Sequence, residues 1–552
     1  MLKPEEFLRD IEIHPEFQGR LVEWLKPWRL KSCVDILIVV DTEISTSPAN
    51  NFGIASVIEL LRNTTVGCMR FRVDIALRSN EAFSVVLAPT PTQPKYRGFR
   101  FNSSSGGVDV IEKYEQIWCF GFKPSNSGSL DDGQIDAATA LPASDTELVK
   151  LDKWMKERKG GLFGTGDHHF LGASMCRKIP RLGTMRRWTN ADGVPPIGGT
   201  DRIDTLRPPT PVSNFQAGGP SSLNNSPHQG DLTVQPIRWT TWKSVYWPFL
   251  RLRKRPHPVL CHPTLGPINV MPDHAHEGLC VPNPNLGANK KFINEPEYPP
   301  ATDGGPKPGP EIIAYGSNLD SDDWNFGKGP QPGRSNNPMI AVYEGHRAGV
   351  GRVATDSTWH HWMDVNINSI RAADNDDWKK ISRYFINLAI WLNPPGLTTR
   401  CLYLSVVASH FQSVGFQEYH PNATTVELGR ALRLHLVKEY GPCWVTERIW
   451  EMAIELGQIP VKQLLDFGKR FQNTSIDPDD FEDLVLGKMV EATLKSADQV
   501  KLGDAQPIKA LAEPEKLFAK PFASAMAELT KEADRRSKID NEVIREFKPV
   551  GG

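Results

Sequence analysis

The residues Val34-Asp35-Ile36-Leu37-Ile38-Val39-Val40 form a mostly apolar, β-branched run that stops at Asp41, Thr42 and Glu43. Such a run suits a strand covered on both faces, because a half-exposed strand would alternate with polar residues. The helix-like stretch FGIASVIELLRN (52–63) follows a polar loop. The pattern then repeats: FRVDIALRS (71–79) and YEQIWCFGF (114–122) read as strands, and SDTELVKLDKWMKERKG (144–160) as a helix. GGLFGTGDHHFLG (160–172) reads as a buried strand, a glycine turn and a helix start. Ser144 with Glu147 predicts a capping box, and Gly160 is the expected residue just past that helix. Apolar strands alternating with amphipathic helices predict an α/β domain on a doubly wound, mostly parallel sheet.

Pro and Gly become dense and periodicity fades over 190–338, which reads as a long, irregular Pro/Gly-rich insertion. Within it, GPINVMPDHAHEG (266–278) reads as a strand ending in polar residues. MIAVYEG (339–345) and GRVATDS (351–357) read as a strand pair joined by the turn HRAGVG. The helix DDWKKISRYFINLAIWL (376–392) closes the domain at Asn393-Pro394-Pro395-Gly396. Beyond it the helical period persists in 426–441, 444–457, 460–471 and 478–497, the last with Asp477 as N-cap and Pro478 at the first helical position. The expected division is an N-terminal helix and connector (1–30), the α/β domain (31–395), a C-terminal helical region (396–520) and a charged helical tail (521–552).

Lys plus Arg is 64 against 65 Asp plus Glu, a net charge of -1, so charge gives no reason to expect nucleic acid or an anionic membrane as partner. No run approaches the ~18 apolar residues of a membrane span. The charged N-terminus has no apolar core of a secretory signal. The eight cysteines include no CxxC pair and read as buried thiols of a reducing compartment. The expected location is the cytoplasm.

Ligands in doubly wound sheets bind beyond the strand carboxyl ends. Asp41, Glu43, Lys123 and Asp167 to His169 all follow predicted strands. Seven of the 14 histidines fall in the groups 168/169, 274/276, 346 and 360/361, each beside Asp or Glu. Imidazole and carboxylate are the ordinary ligands of Zn or Mn, and Asp167, His168, His169, Asp273, His274, His276, Glu277, Asp356, His360 and His361 could supply them. Such a metal would make hydroxide near neutral pH. A metal-free pocket with working Asp and His, and a purely structural network in which His360 and His361 stack on Trp359 and Trp362, stay open beside it. Arg186 and Arg187, after the turn, suit an anionic substrate group. The second basic segment, Arg251 to Arg255, reads with them as a solvated or ion-paired face otherwise. Cys176 reads as a helix-core thiol, and Ser357 lacks the flanking glycines of a nucleophile elbow. GLFGTGDHH is not a dinucleotide fingerprint, so no nucleotide cofactor is expected.

Through VDILIVVD, GGLFGTGDHHFLG and GVGRVATDSTWHH, residues 31–395 resemble the class I glutamine amidotransferase-like superfamily, nearer its ThuA-like branch. The resemblance is greatest to a bacterial group with a GDH elbow, an IPR…MRRW segment and a DSTWHH segment. It implies a flavodoxin-like three-layer sandwich. It does not carry glutaminase activity, since amidotransferases place Cys at the elbow and this chain has Gly166, Asp167 and His168 there. HAHEG is only loosely similar to the family's His-x-Glu pair, and the link of the ThuA-like branch to sugar metabolism names no substrate.

The expectation is a hydrolase-like enzyme acting on a small molecule. Asp167, His168, His276, Glu277 and Asp356 are its candidate catalytic residues. Asp41, Glu43, Arg186 and Arg187 are its candidate substrate contacts, and Asp167, His168, His169, His274, His276, His360 and His361 its candidate metal ligands. The competing expectation is an inactive amidotransferase-like module of a larger bacterial complex, binding a protein partner or itself through the C-terminal helices.

Overall fold

The computed structural model of the chain describes residues 11–12, 31–41, 44, 53–122, 141–166, 172–188, 234–243, 254–272, 279–318, 334–412, 423–455, 478–498 and 514–546. The expected N-terminal helix, about half of the insertion, residues 460–471 and Asp477 lie outside them.

The α/β architecture is built on a mixed, mostly parallel sheet, with twelve strands among the described residues. The elements that place the site begin with β1 (Lys31–Val40), α1 (Ala55–Asn63), β2 (Met69–Leu77), β3 (Gln116–Gly121), α2 (Asp145–Glu157) and β4 (Gly161–Gly166). After the insertion come β5 (Glu311–Asn318), β6 (Arg334–Tyr343), β7 (Val353–Asp356), α3 (Asp364–Ala373) and α4 (Asp376–Trp391). β1 pairs in parallel with β2 and β3, and β4 in parallel with β3 and β7. Counted along the chain, the five parallel strands of four or more residues lie in the order 2-1-3-4-5, with β7 fifth, and the two-residue strand Tyr96–Arg97 adds in parallel beyond β2. β6 is antiparallel to β7, and β5 to β6, so the expected strand pair is present.

Successive side chains of β1 leave opposite faces of the sheet, as strand geometry dictates. Val34, Ile36, Ile38 and Val40 join one buried core with α1, α3 and α4; Leu37 and Val39 join the other with α2 and the 172–188 segment. Each such side chain contributes about 1.5–3 kcal/mol on burial, which is why the run admits no polar alternation.

The Ser144–Glu147 capping box is present. The helix exit differs from expectation. Lys159, not Gly160, takes the left-handed conformation, at φ 55°. Gly160 is needed for space instead, since a Cβ there would lie 2.2 Å from the Trp154 ring. Of the expected strand at 266–278, the described residues keep two short pieces, Gly266–Pro267 and Val270–Met271.

Five further helices follow among the described residues: α5 (Pro395–Gln412), α6 (Thr425–Tyr440), α7 (Pro442–Glu455), α8 (Pro478–Asp498) and α9 (Pro514–Glu546). Their Leu402, Leu432, Trp450, Val485 and Phe518 belong to the same buried core as Ile36 and Ile38. No described helix is long and apolar enough to cross a membrane.

Candidate functional site

Because β1, β3, β4 and β7 run parallel, their carboxyl ends share one sheet edge. Asp41 follows β1, Phe122 follows β3, Gly166 ends β4 and Asp356 ends β7. Glu43, Asp167, His168, His169, Asp273, His274, His276 and Glu277 lie outside the described residues.

Asp41 is fully buried, and its Oδ1 accepts from the Phe122 amide at 2.6 Å, tying the ends of β1 and β3. Arg186 ties the other pair. Its Nη2 donates to the Gly166 carbonyl at 2.8 Å and the Ser357 carbonyl at 3.1 Å, with the guanidinium 4.3 Å from the Trp188 ring centroid. Only 1% of Arg186 is exposed. The fork that suits an anionic substrate group is therefore committed in part to holding β4 and β7 together. Arg187 is half-buried, and its amide donates to the Leu279 carbonyl at 3.0 Å.

Asp356 gathers three polar contacts at this edge. Its Oδ2 lies 2.7 Å from Nδ1 of His361 and accepts from the Tyr384 hydroxyl at 3.2 Å; its Oδ1 accepts from the Thr358 amide at 3.3 Å. The tight turn Asp356–Thr358 folds because the carboxylate captures an amide two residues on, a habit of Asp. Burial, then the Asp356 charge, pushes the Tyr384 phenol well up, so it remains a donor. His360 lies against Trp359 at 4.3 Å between centroids, while Trp362 packs on Phe163 at 4.5 Å. His360 thus meets an aromatic ring edge-on, at 69° between planes, rather than stacked as expected, whereas His361 is held by a carboxylate. A carboxylate on Nδ1 fixes the imidazole ring and stabilises the imidazolium, so Nε2 is the atom such a pair presents as a base.

Asp364 occupies another position at this edge. Its carboxylate accepts from the Ala55 and Ser56 amides, at 3.0 and 2.7 Å, at the start of α1. A helix start beyond the first parallel strand is a ready seat for phosphate. Here the chain's own buried carboxylate fills it.

A second polar cluster lies at the opposite edge of the sheet, and it was not assembled from the sequence. Glu344, His346 and Glu451 each bring one ligand atom within 4.8 Å of the others, so together they could hold a metal ion. His346 Nδ1 is 3.8 Å from Glu344 and 3.3 Å from Glu451. Burial, then Arg352, keeps the His346 pKa low, so the imidazole is neutral, as a ligand must be. The same carboxylates are also partnered by arginine. Arg352 Nη2 lies 2.8 Å from Glu344 and 3.0 Å from Glu451, and Arg448 Nη1 is 2.8 Å from Glu451. Burial alone would raise the Glu451 pKa, but the two guanidiniums outweigh it and hold the carboxyl well below its usual range. A dication would have to displace or tolerate both.

Tyr343, just before Glu344, pairs with Val353 at the amino end of β7, whereas Asp356 ends that strand. Three residues of strand separate the two clusters by roughly 10 Å, so they cannot share one ion. Of the three residues, His346 carries a signal in the sequence, as one of the histidines beside an acidic residue after a strand. Glu451 carries none, because His346 and Arg352 lie about a hundred positions away and Arg448, three positions before it, reads as an ordinary helix-face pair.

No protein-family model, curated protein or solved structure matches the chain.

The C-terminal helices bring further carboxyl groups into the same low-dielectric region. Burial pushes Glu447 and Glu482 up to about 7. Glu482 Oε2 accepts from Thr446 at 3.2 Å, while Oε1 has no hydrogen-bond partner among the described residues. A carboxyl raised in the fold binds its proton more tightly folded than unfolded. Its ionisation therefore costs stability progressively as pH rises from about 4.5 to about 7. Glu482→Gln, which keeps the neutral shape, is expected to leave stability nearly unchanged at pH 4.5 and to raise it by roughly 1–3 kcal/mol at pH 8. Urea unfolding at the two pH values checks this; equal effects at both would refute the ionisation argument.

Proposed function

We propose that the chain is a hydrolase-type enzyme acting on a small molecule in the cytoplasm, with its chemistry at the carboxyl edge of the parallel strands. The observation that carries this reading is the Asp356–His361 pair at the end of β7, the carboxylate-oriented imidazole of a general base. The order 2-1-3-4-5 of the five longer parallel strands is that of flavodoxin-like sandwiches, which supports a kinship with the amidotransferase-like superfamily and its ThuA-like branch. The reaction is not Cys-dependent, because the elbow carries Gly166, Asp167 and His168. In this reading Asp167, His168, His276 and Glu277 complete the catalytic group with Asp356. Asp41, Glu43 and Arg187 face the substrate. A Zn or Mn ion is held by Asp167, His168 and His169, with His274 and His276 from the insertion and His360 or His361 from the turn after β7.

The test has two readouts. Activity on p-nitrophenyl esters and phosphates is expected to fall about 10²-fold or more in His361→Gln. Metal content is expected to be stoichiometric and lost in Asp167→Ala and His168→Ala. Metal lost instead in His346→Ala and retained in His168→Ala would move the metal to the Glu344 cluster and overturn this assignment. Absence of turnover in the unmodified chain would favour the second reading, an inactive module used for assembly. The complete burial of Asp356, His361 and Tyr384 supports that reading, since a structural network needs no access.

A further inference from the structure

Arg181 holds a backbone conformation that its neighbours must enforce. Its φ is 66° and its ψ -51°, and the Leu182 amide donates to the Pro180 carbonyl at 2.8 Å. This is the rarer, strained form of the γ-turn. Among the described residues, the other non-glycine residues at positive φ, Lys159 and Asp374, stand at helix exits, where a left-handed residue is ordinary. Arg181 precedes a short helical turn, Leu182–Met185, whose Thr184 and Met185 amides each donate to its carbonyl at 3.0 Å. Such strain persists only where the surroundings over-determine it, and it gathers at working sites.

The surroundings here come largely from the long insertion. The Glu297 carboxylate accepts from the Arg181 amide, and Thr184 Oγ1 lies 3.5 Å from the same oxygen and 2.7 Å from the Tyr298 hydroxyl. On the other side, Arg181 Nη2 donates to Asp152 Oδ1 of α2 at 3.3 Å, and Lys290 of the insertion donates to Asp152 Oδ2 at 2.8 Å. Arg181, Asp152, Lys290 and Glu297 are all buried. Just past the helical turn, Arg186 bridges the Gly166 and Ser357 carbonyls. The insertion grips this end too, since the Val281 amide donates to the Met185 carbonyl at 2.8 Å and the Arg187 amide to the Leu279 carbonyl at 3.0 Å.

We propose that Glu297 is a positioning residue: it holds Arg181 in the strained turn and so lays Arg186 across the ends of β4 and β7. Without the carboxylate, Arg181 relaxes to negative φ, the short helical turn changes direction, and Arg186 leaves the two carbonyls. Ser357 directly follows Asp356, so the release loosens the Asp356–His361 pair. The consequence for turnover rests on the hydrolase reading of this edge; the clamp itself does not.

Stability tests the strain. Arg181→Gly and Arg181→Ala both remove the guanidinium, but only glycine adopts this φ freely. At an ordinary position glycine is the less stable of the two. Here the unfolding equilibrium constant of Arg181→Gly, measured in urea, is expected to be about fivefold or more below that of Arg181→Ala. An alanine variant at least as stable as the glycine variant would overturn the proposal. Crystal structures test the clamp. Glu297→Gln keeps an acceptor and is expected to leave Arg181 and Arg186 in place, whereas Glu297→Ala is expected to show Arg181 at negative φ and Arg186 off both carbonyls. An unmoved Arg181 and Arg186 in Glu297→Ala would overturn it, and if that variant does not fold, the Arg181 pair still decides. On p-nitrophenyl substrates, Glu297→Ala is expected to lose about tenfold in kcat with KM nearly unchanged, and Glu297→Gln to recover most of it. An unchanged kcat in Glu297→Ala would refute the positioning role. A wild type without turnover would remove the hydrolase reading alone, since the stability and structural comparisons still decide the clamp.

Discussion

Arg352→Met is expected to destabilise the chain by about 3–5 kcal/mol at pH 7, the largest effect among single substitutions at the amino edge of β7. Removing one member of a buried ionic group leaves its partners charged and unsolvated. Arg352 is 4% exposed. Its Nε contacts both Glu344 oxygens at 2.8 and 2.9 Å, its Nη2 reaches Glu451 at 3.0 Å, and its Nη1 donates to the Trp391 carbonyl at 3.0 Å. Its loss strands two carboxylates beside His346. The combined replacement Arg352→Met, Glu344→Leu and Glu451→Met is expected to recover most of the stability, because apolar side chains of similar volume carry no desolvation cost. Denaturant unfolding of the single and triple variants measures this. A single variant within about 0.5 kcal/mol of wild type would show that the region is hydrated. If the cluster holds a metal instead, chelation of the wild type should itself reduce stability, and that control separates the two roles.

Asp356→Ala is the second large expectation, with a stability loss of about 3 kcal/mol or more. The carboxylate serves His361, Tyr384 and the Thr358 amide at once, and hydrogen bonds to a charged group are worth about 1.5–3 kcal/mol each. Asp356→Asn retains the shape and part of the bonding, so its cost should be about 1–2 kcal/mol. The two roles of the pair then separate. A general-base role predicts that Asp356→Asn abolishes turnover while the chain still unfolds cooperatively, because the amide no longer stabilises the imidazolium. A structural role predicts that activity follows stability across the two variants. Thermal unfolding followed through the buried tryptophans, beside the nitrophenyl assays, decides between them.

The two clusters differ in how far the chain itself announces them. At the carboxyl edge, Asp356 and His361 are five positions apart and follow an apolar strand. Local spacing therefore marks them, and parallel pairing of β1, β3, β4 and β7 brings Asp41 to the same edge. The role of Arg186 was not legible in the same way. Its partners are the carbonyls of Gly166 and Ser357, and a backbone acceptor leaves no mark in the side-chain pattern.

What the sequence by itself determined is part of the set of elements, since β5, α3 and α5 were not read from it. The apolar run 34–40, the Ser144–Glu147 cap and the strand pair around 346–351 are legible because hydrophobic period and capping are local properties of the chain. The tertiary structure alone decided which elements meet. Glu451 lies 105 positions from His346 and 99 from Arg352. On a helical pattern it is an ordinary polar residue of a solvated face. Only the burial of α7 against the same core as β1 turns that glutamate inward. Its charge then persists because two arginines, drawn from separate parts of the chain, replace the water it lost.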